Sequence, residues 1–322
     1  MSSQIIIDNL LSPPILFFLL GLIARWIKSD LEMPPAISKF LSLYLLFSIG
    51  LKGGTELSHS GFNNEVVSAL LLSVILASVV PIYSFFILRK KFDLHNAGAI
   101  AATYGSISAV TFVTAVSFLQ NIGVEYGGYM VASMALMESP AIIIGVFLIR
   151  YYSEDKTENG FAEIFKEAFT NGSVVLILGA LLIGILVPEP QIASIAPFTE
   201  DLFKGILTFF LLDMGLLAGK RIKSLRNSGT FALLFSLISP VVNGGLALAL
   251  GLMLNLDVGN LLLLMVLGAS ASYIAVPAAL RLAVPQANPG IYVPMSLAVT
   301  FPFNITIGIP LYYFLITYIK SL

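Results

Sequence analysis

The chain of 322 residues has no cysteine, one tryptophan, two histidines and only 11% charged residues. Without cysteine there are no disulfides, thiolate metal sites or iron–sulfur clusters. The histidines, His59 and His95, stand apart from any partner at ligand spacing, which argues against a metal centre. The apolar stretches also lack the nucleophile–base pairs or metal sets that most enzymes need. The shortage of charge excludes more. A soluble domain carries roughly 25% charged residues, and this chain has less than half that share, so it cannot cover a soluble globule. A formal net charge of −1 leaves no electrostatic footprint for nucleic acid. The start, Met1 to Asp8, lacks a basic n-region, so no cleaved signal peptide is expected.

What the sequence does have is apolar: 57% of its residues, in blocks of about 20 separated by short polar joints. That length crosses a bilayer. The blocks predict ten spans, at about 11–28, 34–53, 64–88, 95–119, 126–150, 171–187, 197–218, 228–253, 259–283 and 290–319. The expected fold is an all-α polytopic membrane protein with no room for a sizeable extramembrane domain. One long polar stretch, Tyr151 to Asn171, interrupts the pattern. Within it Phe161, Ile164, Phe165, Ala168 and Phe169 recur at helical spacing, either a short amphipathic helix in the interface or a partly ordered linker. Sidedness follows from basic residues. Of the 17 Lys and Arg, all but Lys39, Lys52, Lys204 and Lys320 fall on one side when ten spans alternate. That side is expected to be cytoplasmic. The linker is then inside, both termini are extracytoplasmic, and the bilayer is the cell (inner) membrane.

The chain also resembles itself. Gly50-Leu51 with Gly54 matches Gly215-Leu216 with Gly219, a shift of 165. Ser106-Ile107-Ser108-Ala109-Val110 matches Ser270-Ala271-Ser272-Tyr273-Ile274 at 164, and Tyr129, Ser133, Ala135 and Gly145 match Tyr292, Ser296, Ala298 and Gly308 at 163. One nearly constant shift predicts two homologous five-span halves, residues 1–150 and 172–322, joined by the linker at 151–171. Five is odd, so the second half enters the membrane from the opposite face. Such 5+5 inverted repeats mark secondary transporters, with binding sites near the midplane.

Spans 4 and 9 are the equivalent pair, and each carries a Gly and two Ser at mid-span: Gly105, Ser106 and Ser108, then Gly268, Ser270 and Ser272 with Pro277 following. Small residues at this spacing also suit close helix packing. Their recurrence in both halves favours paired helix breaks, which lipid does not tolerate unless they face protein or a watery cavity. A broken helix offers N–H groups to an anion and carbonyls to a cation. Glu138 lies mid-span in Leu136-Met137-Glu138-Ser139-Pro140; its repeat counterpart is Thr300-Phe301-Pro302-Phe303-Asn304. A carboxylate suits Na+, with Asn304 supplying a carbonyl, or else takes up a proton. Asp213, two turns before Lys220, and Lys52, at the end of span 2, read as paired or snorkelling groups. Asn243 is open to either a structural or a functional reading.

Ala269-Ser270-Ala271-Ser272-Tyr273-Ile274-Ala275-Val276-Pro277-Ala278-Ala279, followed by Arg281-Leu282-Ala283, resembles the second-half signature of the sodium-dependent bicarbonate transporters, the SbtA-like permeases. The stretches from Ala287-Asn288-Pro289 through Thr300-Phe301-Pro302-Phe303-Asn304 to Gly308-Ile309-Pro310-Leu311-Tyr312 are similar too, as are Gly50-Leu51 with Gly53-Gly54 and the Glu-Ser-Pro of span 5. The resemblance implies that spans 4 and 9 cross near the midplane, that a gate domain moves against a scaffold, and that the protein is a homotrimer. It implies Na+ as the coupling ion, bicarbonate as the substrate and a PII-like protein as a regulatory partner. By motif position the binding roles fall to Ser106, Ser108 and Thr111 on span 4 and to Ser270, Ser272 and Tyr273 on span 9. Gly105, Glu138, Ala269, Thr300 and Asn304 complete the substrate- and ion-binding set, and Ser108, Glu138, Ser272 and Asn304 are the Na+ candidates. The sequence therefore predicts Na+-coupled symport of a small monovalent anion, most simply bicarbonate. The absence of mid-span Arg and Lys argues against a dicarboxylate or phosphate. A Na+/H+-type exchanger with Glu138 as proton carrier, or a symporter for another small organic anion, is the alternative.

Overall fold

The computed structural model describes residues 2–61, 63–153, 170–225 and 228–321, and every regular element among them is helical. The amphipathic stretch expected around 161–169 lies outside the described residues. Among the described residues, seven helical segments are long and apolar enough to cross a membrane, and three apolar helices are shorter. After α1 (Ser2–Leu10) come α2 (Pro13–Trp26), α3 (Pro35–Ser60), α4 (Asn64–Leu88), α5 (Leu94–Gly105), α6 (Ala109–Asn121) and α7 (Tyr129–Tyr152). Beyond the linker follow α8 (Gly172–Leu186), the short α9 (Glu189–Ala193), α10 (Phe203–Leu225), α11 (Gly229–Met253), α12 (Val258–Ala269), α13 (Ala275–Ala283) and α14 (Pro289–Lys320).

Local chemistry sets most of the helix starts. Pro13 and Pro35 open α2 and α3, where a missing N–H costs nothing. Asn63 accepts from the Val66 N–H (2.9 Å), Asp93 from Asn96 (3.0 Å) and Asn171 from Ser173 (2.9 Å), so α4, α5 and α8 start on side-chain caps. The apolar faces of α4 and α11 stay bare: Leu71, Ile75 and Phe86 on one, Leu234, Ile238 and Val242 on the other, are exposed. Such bands suit contact with lipid chains. In α14, Pro294, Pro302 and Pro310 remove N–H groups from the ladder, and the helix passes through two wide turns, Ser296–Thr300 and Asn304–Gly308.

The tightest helix pairs each join the first part of the chain to the second. α2 crosses α10 where Gly21 meets Gly215, at a separation that leaves no space for a side chain on either. α3 crosses α8 in the same way, with Gly54 against Gly184. Glycine is required at these crossings because backbone meets backbone. Lys52 does not end a helix, as the span boundary at 53 implies. α3 continues to Ser60, so Lys52 lies within it and lines a 250 Å³ cavity with Ser48, Gln120, Tyr126 and Glu200.

Candidate functional site

Two helices stop in the middle of the protein. α5 ends at Gly105 and α6 begins at Ala109; α12 ends at Ala269 and α13 begins at Ala275. Ser106 and Ser270 leave their helices with the same extended backbone, ψ 178° and 170°. Ser108 then caps α6, its Oγ accepting from the Thr111 N–H at 3.2 Å, and Ser272 Oγ accepts from the Val276 N–H at 3.2 Å. Pro277 falls in the first turn of α13, where its ring fits. The two restarts thus use the same chemistry 164 residues apart.

The breaks touch. The Ser272 N–H donates to the Thr103 carbonyl (2.9 Å). The repeat-related link, from the Ser108 N–H towards Leu267, runs through a hydroxyl: Ser108 N–H donates to Ser270 Oγ (3.0 Å), which donates to the Leu267 carbonyl (2.9 Å). Asn304 Nδ2 closes the free end of α12 by donating to the Ala269 carbonyl (2.9 Å). The serines of both breaks are enclosed by protein, while Ile274 of the second break is exposed. Ser106, Ser108, Ser270 and Ser272 are all buried, and 94% of the most apolar window of Leu94–Asn121 is buried in protein.

A cavity opens between the breaks, walled by Ser108, Ala109 and Val110 on one side and by Ser272 to Ala275 on the other. Glu138 and Ala135 of α7, Ser42 of α3 and Ser173 of α8 close it. About 30 Å³ is open to the centre of a water molecule, room for about two waters or a ligand of a few heavy atoms. The N–H groups of Ala109 and Val110 at the start of α6, and of Ile274 and Ala275 at the start of α13, have no acceptor among the described residues. These four donors sit at the positive ends of two helix dipoles. The Glu138 carboxylate makes no hydrogen bond among the described residues, although its backbone carbonyl accepts weakly from Ser106 Oγ (3.5 Å). The wall therefore offers donors for an anion and, from Glu138 and two hydroxyls, oxygen for a cation.

The structure brings Ser108, Ser272, Tyr273 and Glu138 to this cavity and sets the other expected site residues behind it. Gly105 lies against the Pro81 ring, with no room for a Cβ. Ser106, Ser270 and Ala269 hold the breaks together, as above. Thr111 is fully buried and its hydroxyl has no partner among the described residues. Thr300 Oγ1 donates to the Ser236 carbonyl (2.8 Å), which Pro240 leaves free, and receives the Tyr104 hydroxyl (2.7 Å). Asn304 is outside the cavity wall, and its Oδ1 accepts from the Tyr312 hydroxyl (3.0 Å). Asn243 is structural: it accepts from Tyr83 and donates to Ser239 Oγ (3.3 Å), tying α4 to α11.

Asp213 departs from its expected role. Midway along α10 it is only 3% exposed, while Lys220 is exposed on the same helix, so it does not snorkel, and no ion pair among the described residues reaches it. Spacing along the chain to Lys220 gave no sign of this, because burial here comes from elements distant in sequence.

Among curated proteins, none matches the sequence at a significant level. A family described as the Na+-dependent bicarbonate transporter superfamily matches residues 13–317. The match takes in both breaks, the cavity they enclose and nearly every helix around it, and the chain belongs to the Na+-dependent bicarbonate transporter superfamily.

Proposed function

We propose that the protein is a secondary active transporter that carries bicarbonate inward with Na+ by alternating access, the anion and the cation meeting in the cavity between the two breaks. The observation that carries this reading is the shared wall: two capped helix starts and one unpartnered carboxylate face the same small space. Four free N–H groups and two helix dipoles favour a single negative charge without an Arg or Lys. The cavity's size favours an anion of a few atoms over a larger organic acid. Na+ held by Glu138, Ser108 and Ser272 offsets the anion's charge, so each ligand strengthens the other's binding. Asn304, by keeping α12 closed at Ala269, holds the second break in shape.

The same reading takes the fold as ten spans in a 5+5 inverted repeat, residues 1–150 and 172–322. The linker 151–171 is cytoplasmic and both termini are extracytoplasmic. Mirrored packing supports it. The glycine crossing of α2 on α10 has a counterpart in α3 on α8, and α4 packs on α5 as α11 packs on α12. A repeat of this kind lets one bundle rock against the other around a fixed site. The assembly is taken to be a homotrimer in the inner membrane.

Uptake of labelled bicarbonate into proteoliposomes tests the function. An inward Na+ gradient is expected to drive it, and uptake indifferent to Na+ would defeat the proposal. Ser108→Ala and Ser272→Ala are each expected to slow uptake about tenfold or more while the protein still purifies folded, because each removes a cap and a cavity hydroxyl worth together about 1–2 kcal/mol. Wild-type rates in both variants would remove the breaks from the mechanism. The unpartnered Glu138 carboxylate also supports a second reading, Na+/H+ exchange with Glu138 as proton carrier. That reading predicts Na+ movement with no anion present and a steep pH dependence.

A further inference from the structure

A groove of 890 Å³ runs between the end of α2 and the second half of α10 and shares no residue with the crossing cavity. Its walls carry Arg25, Lys28 and Lys220, together with Trp26, Ser29 and Ile222, and no carboxylate. Asp30 and Glu32, the nearest acids in sequence, stay outside the walls, and no ion pair among the described residues reaches the three cations. The same place is apolar as well as basic. Trp26, the chain's single tryptophan, is 84% exposed, and Ile23, Ile27 and Ile222 are exposed around it. A tryptophan ring where an apolar helix gives way to charge suits the membrane–water interface. Lys28 takes a backbone position that glycine usually fills. The Ser29 N–H donates to the Ala24 carbonyl (2.9 Å) and the Lys28 N–H to the Arg25 carbonyl (3.3 Å), the paired bonds that close a helix through a left-handed residue. Lys28 is that residue, at φ 59°, where an L side chain is disfavoured. A cation here also complements the end of the α2 dipole, but Arg25 in the last turn already does so. Arg25 itself is laid across α10, its Cβ 2.9 Å from where a Cβ on Gly219 would stand.

We propose that this groove holds the headgroup phosphate of an anionic phospholipid from the leaflet on the chain's basic side, with the acyl chains passing along Trp26 and Ile222. Arg25 suits a phosphate because its guanidinium donates two parallel N–H bonds, and Lys28 and Lys220 add point charges around it. Basic pockets between membrane helices take lipid headgroups in this way. Free phosphate would answer the cations but not the exposed tryptophan and isoleucines, whereas a phospholipid answers both. The groove lies about one turn beyond the crossing where Gly21 meets Gly215, so the bound lipid clasps α2 to α10 next to their closest approach.

Trp26 reports on the groove directly, because the chain has no other tryptophan. The full-length protein is placed in mixed vesicles of phosphatidylcholine and phosphatidylglycerol in which one lipid or the other carries brominated acyl chains. Quenching of Trp26 fluorescence then gives the relative affinity of the two lipids for the groove. Phosphatidylglycerol should be preferred by about tenfold or more, and Lys28→Gly and Lys220→Gln should each lower that preference about fivefold. Glycine fits the left-handed position of Lys28 without strain, so Lys28→Gly should melt in phosphatidylcholine at the wild-type temperature or above it. Equal quenching by both lipids in the wild type overturns the proposal and would leave the groove to an acidic protein segment. An undiminished preference in the doubly substituted Lys28→Gly, Lys220→Gln protein also overturns it. Abolition of the preference by millimolar inorganic phosphate would make this a site for a free anion and defeat the lipid as occupant. No transport is measured, so the outcome is independent of the function proposed above.

Discussion

Glu138→Gln is expected to raise the Na+ concentration needed for half-maximal bicarbonate uptake about a hundredfold. The substitution keeps the volume and one oxygen of the side chain but removes its charge. Glu138 is buried at the cavity wall, and neither a hydrogen bond nor a basic neighbour among the described residues compensates it. Its charge is therefore available to a bound cation, and separating a buried pair costs about 3 kcal/mol or more, which corresponds to about two decades in affinity. Folding should not suffer, because the amide is easier to bury than the carboxylate. Na+ titration of labelled bicarbonate uptake checks this, with melting of the purified variant as the control for folding. A variant with wild-type Na+ dependence would take Glu138 out of the ion site. One that lost a steep pH dependence with its Na+ requirement intact would favour the exchanger.

Gly54→Val should be the most damaging single change outside the site. A Cβ at Gly54 would collide with the Leu181 carbonyl oxygen and approach the Gly184 Cα to 2.9 Å. Those are backbone atoms of α8 and have no rotamer to escape into. The helices must part, and overpacking of this kind costs about 1–3 kcal/mol or more. The consequences reach the cavity, since α3 contributes Ser42 and Leu46 to its wall and α8 contributes Ser173 and Ile177. Low yield, a depressed melting temperature and loss of uptake are expected together. Gly179, on the same helix as Gly184, has open space where a Cβ would go. Gly179→Ala should therefore leave melting and uptake nearly unchanged, and damage of equal size in both variants would show that the α3–α8 approach has no special weight.

The helix breaks were legible in the sequence for a local reason. Gly105, Ser106 and Ser108, and the matching Ser270 and Ser272 with Pro277, carry their own stop and cap chemistry, and the caps form within four residues. Glu138 was legible because a carboxylate in an apolar stretch is conspicuous. What lay beyond reach depended on partners far along the chain. Thr300 and Asn304 share a motif with the expected site, yet their hydrogen bonds run to Ser236, Tyr104, Ala269 and Tyr312, which place them behind the cavity. The burial of Asp213 on α10, which packs against α3, leaves no trace in the residues near it in sequence. The glycines at 54 and 215 were visible as a repeat, but only the helix crossings show that they are the points of closest approach.

The absence of cysteine that limits the protein's chemistry also makes its central claim directly measurable. Ala109→Cys and Ala275→Cys place one thiol at the start of each restarted helix, on opposite walls of the same cavity. Their rates of reaction with a small methanethiosulfonate reagent, in membranes and with no other thiol present in the protein, report whether both positions share one occupied site. Both thiols should react in choline chloride, and both should be protected when Na+ and bicarbonate are added together. Rates that ignore the two ions at either position would contradict the account, because the breaks would then not enclose the place where the ions bind.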